Sequence, residues 1–502
     1  MSEGRFRTGE VLLEGCFSPR EVLSDSRFKP GEVLLEGAGI AQVINLQFPG
    51  ARHGMNSLLC MGFRCMMGKS EVKRMKQTLL LKNGHVVDPG SGFEGTADVL
   101  VADGRIARVG QNLTCDADRV MDLRGLTVFP GLVDLHVHLR DPGQTHKEEL
   151  ATGAAAAARG GVTTLLAMPN TAPPADCVEA VRDVEERAAA LARVHIYQAS
   201  AITRGMQGSE LAPVDELMDY GVKAFSEDGK SVMNASLMRA AMKRIAARDG
   251  LICDHCEDIL MVEGGVMNAD EQAERLGLPG ITNSVEDVIA ARDAILAGET
   301  GVRLHLCHCS TEGSVQIVKA AKEAGVRISA EVCPHHFILT SEDIPGDDAN
   351  YKMNPPLRTA RDVAALRKGL ADGTISCIST DHAPHSAEEK SGGFRNSPFG
   401  IVGLETSAAL TYTELVRSGV LTLMQMAEKM SLNPARVLGV PGGTLEEGAP
   451  ADIAVFDFAN EYRIDPDTFL SRGRNTPFAR RTVYGKTRMT ICGGRIVWED
   501  EA

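Results

Sequence analysis

Eight short apolar runs, each about as long as a β-strand, recur through the middle of this 502-residue chain, at residues 132–139, 163–170, 194–202, 221–227, 251–257, 303–310, 328–336 and 375–382. Between them lie segments with helical spacing. Asp176 to Arg193 places Val181, Val184, Ala188 and Leu191 at i, i+3, i+7 and i+10, and Ser236 to Arg248 is a second example. Glycines close several of these stretches, at Gly160-Gly161, Gly221 and Gly325, as helix C-caps do. Strand–helix repetition of this kind predicts an α/β fold, a (β/α)8 barrel of the TIM type. In such a barrel the working side chains sit at the carboxyl ends of the strands.

The two ends of the chain read differently. From Thr78 to about Thr127 short strands alternate with turns, and Asp103-Gly104 between two of them is a hairpin signal. Ala451–Phe456 and Arg488–Cys492, the latter running into Gly493-Gly494, have the same character. A small β-sandwich built from both ends is therefore expected, from residues 75–128 and 441–502, around a barrel over 129–440. Residues 1–74 stand apart. Arg5–Gly15 returns almost unchanged as Arg27–Gly37, and two copies are too few for a solenoid. This segment is expected to be a poorly ordered extension, with Met75 the first residue of the working protein.

Composition narrows the function. A net charge of −14 argues against a nucleic-acid partner. No apolar run reaches membrane-spanning length, and no cationic-then-apolar leader opens the chain. Twelve cysteines scattered through strand-like runs such as Ile252–Cys256 fit reduced thiols, so a cytoplasmic enzyme is expected.

The barrel expectation can be tested on the polar residues. His136 and His138, two apart on a strand, face the same way and make a ready pair of metal ligands. His255 ends the fifth run, His308 the sixth and Asp381 the eighth, while Asp228 lies just past the fourth. Four histidines and two carboxylates on one rim predict a metal site. Six ligands exceed the needs of one four-coordinate zinc, so two ions sharing a carboxylate are expected. Arg140, at the first strand's mouth, suits a substrate with a free carboxylate, because guanidinium pairs with carboxylate through two hydrogen bonds.

From about Met75 onward the chain resembles dihydroorotases of the amidohydrolase superfamily, of the long bacterial class I type. The phrases that carry the resemblance are Asp134–Gly143, Ala167–Thr171, Asp254–Asp258, His308–Thr311, Lys352–Arg358, Thr380–His385 and Pro398–Gly403. The resemblance implies that His136 and His138 bind the more buried zinc, and that His255 and His308 bind the other. Asp228 would bridge the two together with a hydroxide, where many relatives use a carboxylated lysine. Lys223, on the same strand, fits that position poorly. Asp381 would bind the first zinc and carry the proton. Glu227 stands where many members have a second Asp.

For the substrate, the resemblance implies contacts from His138, Arg140, Asn170, Asn354 and His385, with the backbone of Pro398, Phe399 and Gly400 against the ring. The implied reaction is the reversible closure of N-carbamoyl-L-aspartate to (S)-dihydroorotate and water in pyrimidine biosynthesis. A homodimer and an association with aspartate transcarbamoylase are the partners it raises. Two other readings stand beside it: a hydantoinase or allantoinase, and a non-catalytic scaffold for the transcarbamoylase. Arg140 weighs against the first and the intact ligand set against the second. His335 and His336 are read as structural, Cys253, Cys256, Cys307 and Cys309 as apolar fillers, and Gly392-Gly393 as part of a loop over the site. Glu331 is read as a buried, hydrogen-bonded carboxylate with no assigned role.

Overall fold

The computed structural model describes residues 32–37, 40–45 and 78–500. Contacts divide the chain between Lys73 and Arg74. In the first unit Glu32–Gly37 and Ile40–Asn45 pair antiparallel, with Glu32 opposite Asn45. The rest of the expected extension, residues 1–74, lies outside the described residues.

In the second unit the eight runs all contain strands. They are β1 (Leu132–Val137), β2 (Val162–Ala167), β3 (His195–Gln198, resumed at Ser200–Ala201) and β4 (Ala224–Ser226). The series continues with β5 (Leu251–Asp254), β6 (Arg303–Leu306), β7 (Ile328–Val332) and β8 (Cys377–Ile378). Each pairs in parallel with the next. The succession returns to its start just past β8, where His138 N–H donates to the His382 carbonyl at 2.8 Å and Val137 bridges His382 in parallel. The strands are shorter than the apolar runs that announced them. The seventh run, 328–336, ends its strand at Val332 because Pro334 opens a short helix, Pro334–Ile338, that carries His335 and His336.

The helices follow their sequence stripes. In Val178–Leu191 the buried residues are Val181, Val184 and Ala188. Leu191, expected on the same stripe, is 41 % exposed, because the helix ends there and Ala192 turns left-handed at φ 50°. Ala235–Ala246 is capped by Asn234, whose side chain accepts from the Ser236 and Leu237 amides, and buries Met238, Ala241, Met242 and Ile245.

The ends of the chain form one mixed sheet. Its order is Arg495–Glu499, Thr482–Cys492, Ile453–Arg463, Thr127–Pro130, Leu79–Asp88, Phe93–Ala102 and Arg105–Gly110, with Arg119–Asp122 also paired to Leu79–Asp88. The junction of the two ends is the antiparallel pairing of Thr127–Pro130 with Ile453–Phe456. Residues from both ends share one core, including Leu79, Val99, Val128, Ile453, Val455 and Ile491. The strand Thr127–Pro130 crosses the expected division at 128/129, and β1 begins after Gly131. A side chain at Gly131 would put its Cβ 2.1 Å from the Thr163 hydroxyl, so only glycine fits between sheet and β1.

Candidate metal centre and substrate pocket

The six ligand-type residues meet at the carboxyl ends of the strands. His136 is in β1 and His138 one residue beyond it, while Asp228 lies two past β4, His255 one past β5, His308 two past β6 and Asp381 three past β8. All six are buried. Two triads of donor atoms, His136–His138–Asp228 and Asp228–His255–His308, have their atoms within 4.8 Å of one another, and Asp228 belongs to both. Lys223 is in neither. Asp228 Oδ1 lies 3.0 Å from His136 Nε2, 3.6 Å from His255 Nδ1 and 3.7 Å from His308 Nε2.

Neighbouring groups select which nitrogen faces the centre in three of the four rings. His138 Nδ1 is 2.9 Å from Asn170 Oδ1, an acceptor, so that nitrogen carries the proton and Nε2 keeps its lone pair. Asn170 then donates from Nδ2 to Asp228 Oδ2 at 3.0 Å. His136 Nδ1 faces Glu331 Oε1 at 3.4 Å, which turns Nε2 inward. His255 presents Nε2 to Glu257 Oε2 at 3.4 Å, which turns Nδ1 inward, 3.0 Å from His308 Nε2.

Burial alone would raise the carboxyl pKa of Asp228, but the facing His136 and His138 hold it well below the ordinary value. Asp381 is likewise lowered against burial, chiefly by its contact with His138, whose Nε2 is 3.1 Å from Oδ1. Both carboxylates are therefore anionic at neutral pH. Asp228 Oδ1, both ring nitrogens of His136 and His308 Nδ1 are buried without a hydrogen-bond partner. Imidazole nitrogens and a shared carboxylate oxygen, buried and uncommitted, form a donor set that suits divalent ions of the zinc class.

The expected substrate residues border this centre. Arg140, at a left-handed φ of 58°, directs Nη2 to within 3.5 Å of His385 Nε2, and its Nε is buried without a partner. His385 Nε2 is 2.8 Å from the Phe399 carbonyl. Burial, then the nearby Arg140, Lys147 and Lys390, press its pKa down to about 3, so the ring is neutral. Gly400, at φ 127°, packs where a Cβ would come within 2.7 Å of the Ala383 Cβ. Pro398 is held through its carbonyl, which accepts from Lys390 Nζ at 2.9 Å. Asn170 and Asn354 lie here too, but their side chains engage ligand-side carboxylates, Asn354 Nδ2 donating to Glu257 Oε1 at 2.9 Å. The expected loop around Gly392-Gly393 consists of two short helical pieces, Ala387–Lys390 and Gly393–Asn396.

Sequence reasoning missed the carboxylates behind the ligands. Glu331, fully buried in β7, meets His136 Nδ1, His305 Nε2 at 3.0 Å, the His308 amide at 3.4 Å and the Ser379 hydroxyl. Glu257 orients His255, and its place two residues along the chain was the one available signal. Glu227 instead accepts from the Ile202 and Thr203 amides, tying β3 to β4. His336 Nε2 contacts the Pro355 carbonyl at 2.9 Å, and burial lowers His335 to about 4. Cys253, Cys256, Cys307 and Cys309 are buried free thiols.

Comparison with known proteins agrees with this geometry. Residues 125–314 match the family model described as dihydro-orotase-like. The chain is 50 % identical over 422 residues to a dihydroorotase of Pelotomaculum thermopropionicum, covering 84 % of this chain and 99 % of that protein. It is 47 % identical over 423 residues to one of Bacillus cereus, with the same coverage. Among solved structures it resembles the L-hydantoinase of Arthrobacter aurescens, with 27 % identity, a TM-score of 0.75, and coverage of 85 % of this chain and 96 % of that one. It also shares the fold of a dihydropyrimidinase from Brevibacillus agri, at 22 % identity, a TM-score of 0.75 and the same coverage. No helix among the described residues is long and apolar enough to cross a membrane. The ring of parallel strands, the paired triads and the extent of identity together place this chain in the dihydroorotase family of cyclic amide hydrolases.

Proposed function

We propose that the protein is a two-zinc dihydroorotase, interconverting N-carbamoyl-L-aspartate and (S)-dihydroorotate for pyrimidine biosynthesis in the cytoplasm. In this reading the body of residues 129–440 is a (β/α)8 barrel, and the mixed sheet built from residues 75–128 and 441–502, with Thr127–Pro130 crossing the boundary, is a β-sandwich. The observation that carries the reading is Asp228, shared by two buried histidine pairs. His136, His138 and Asp381 would hold one ion, His255 and His308 the other, and Asp228 both. Bound there, zinc supplies Lewis acidity and lowers the pKa of water.

The chain's own groups do the rest. Arg140 grips the substrate carboxylate with its planar fork, which orients the ring. Asp381, anionic and buried, takes a proton from the attacking water on a carboxylate oxygen and returns it to the ring nitrogen as the amide opens. Ring closure runs the same transfers backwards. His385 holds the Phe399 carbonyl, positioning the Pro398–Gly400 backbone against the ring. Asn170 and Asn354 reach the substrate's amide edge from the positions where they also brace Asp228 and Glu257.

Hydantoinases share the fold, but their substrates offer Arg140 no carboxylate. Arg140→Lys keeps the charge and loses the fork, so kcat/KM for dihydroorotate should fall about tenfold or more, roughly 1.4 kcal/mol. Zinc content should hold, and turnover of uncharged cyclic amides should change much less. Equal losses on charged and uncharged substrates would refute the reading.

A further inference from the structure

A second cluster of metal-ligand chemistry lies at the opposite end of the strands. His195 opens β3, Asp452 immediately precedes the strand Ile453–Arg463, and Cys492 ends the strand Thr482–Cys492. Their donor atoms all lie within 4.8 Å of one another. We propose that His195, Asp452 and Cys492 form a second divalent-metal site, of the zinc class, that fastens the start of β3 to the two-ended sheet.

Asp452 is held for the role. Its backbone carbonyl accepts from the Gly131 amide at 2.8 Å, and its Oδ1 accepts from the Gly493 amide at 2.7 Å. Oδ1 and Oδ2 lie 3.4 and 3.2 Å from His195 Nε2. The Cys492 Sγ lies 3.8 Å from the Thr163 carbonyl. Asp452 and Cys492 are buried, while His195 is partly exposed. Imidazole, carboxylate and thiolate are three of the donors zinc prefers, and one ion of charge +2 would balance the two anionic ligands.

An entry path exists as well. A surface cavity of about 320 Å³ is lined by His195, Cys492, Gly493, Glu185 and Arg495, leaving room for a water as fourth ligand. Arg495 donates to the Ala192 carbonyl at 2.7 Å. Binding displaces the thiol proton to solvent, so the ion forms its bond to a thiolate with no change of oxidation state.

The catalytic donor set, imidazoles and carboxylates, contains no thiolate, and Cys492→Ser tells a thiolate signal of this site from one at Cys307 or Cys333, which also stand beside histidines. The full-length protein, stripped of metal and reloaded with cobalt(II), should show a thiolate-to-cobalt charge-transfer band in the near ultraviolet. Cys492→Ser should diminish that band and lower zinc content by one equivalent per chain. His195→Gln, at a partly exposed position that tolerates the change, should diminish it too, with dihydroorotate turnover staying within roughly twofold. No band, a band undiminished in either variant, or zinc content unchanged by Cys492→Ser would overturn the proposal.

Discussion

Replacing Glu331 with Gln probes the support of the metal centre without touching a ligand. The carboxylate is fully buried and serves His136 Nδ1, His305 Nε2, the His308 amide and the Ser379 hydroxyl. Burial opposes its charge, but the facing His136 and His305 imidazoles outweigh burial and keep it ionised. Glutamine preserves the shape and one acceptor oxygen, yet presents an amide N–H₂ where the second oxygen stood. One imidazole N–H then loses its acceptor, which destabilises the fold by about 1–3 kcal/mol. The ring of His136 also loses the partner that fixes its tautomer, and removal of such a partner lowers metal affinity or activity by roughly 10–100-fold, or about 1.4–2.7 kcal/mol. Zinc affinity measured against a chromophoric chelator should fall in that range, while kcat at saturating zinc recovers most of its value. An affinity within about twofold of wild type would refute the orienting role.

Other substitutions separate the remaining parts of the site. Asp381→Asn keeps a ligand oxygen but no proton carrier, so turnover should fall by at least about 10²-fold with the fold intact by circular dichroism. Near-normal turnover would remove Asp381 from the proton path. Glu389 caps the helix Ala387–Lys390 through the Ser386 amide, 3.1 Å away, and contacts His385 Nδ1 at 3.3 Å. Burial would raise its pKa, but the Ser386 amide and Lys147 bring it down to about 2. Its contribution is therefore present above the unfolded value near 4.5 and fades as pH falls toward 2. Thermal melts should show Glu389→Gln less stable than wild type by about 1 kcal/mol at pH 6, discounted for partial exposure, with the gap narrowing at pH 3.5. A gap that widens on acidification would contradict the assignment.

The site was legible where chemistry and local periodicity coincide. His136 and His138 declare themselves by strand alternation, and His255, His308, Asp228 and Asp381 by lying where apolar runs give out. The orienting carboxylates were not legible, because Glu331 reaches His136 from a strand almost two hundred residues away. The fold was legible as an alternation of elements, but not in its boundaries. β4 and β8 have only three and two paired residues, and their apolar runs extend into loops that are largely buried. That Thr127–Pro130 belongs to the sheet follows from its pairing with Ile453–Phe456, which depends on a partner more than three hundred residues downstream. Asn170 and Asn354 were expected against the substrate. Their bonds to Asp228 and Glu257 tie both side chains to the carboxylates beside the clustered histidines.

The most direct test of the account is turnover of dihydroorotate, and of carbamoyl aspartate in the reverse direction, by the purified protein before chelation, after chelation and after zinc is restored. The account predicts turnover in both directions, its loss on chelation and its return with zinc. Turnover that survives complete metal removal, or a zinc-loaded protein that opens hydantoin but not dihydroorotate, would contradict it.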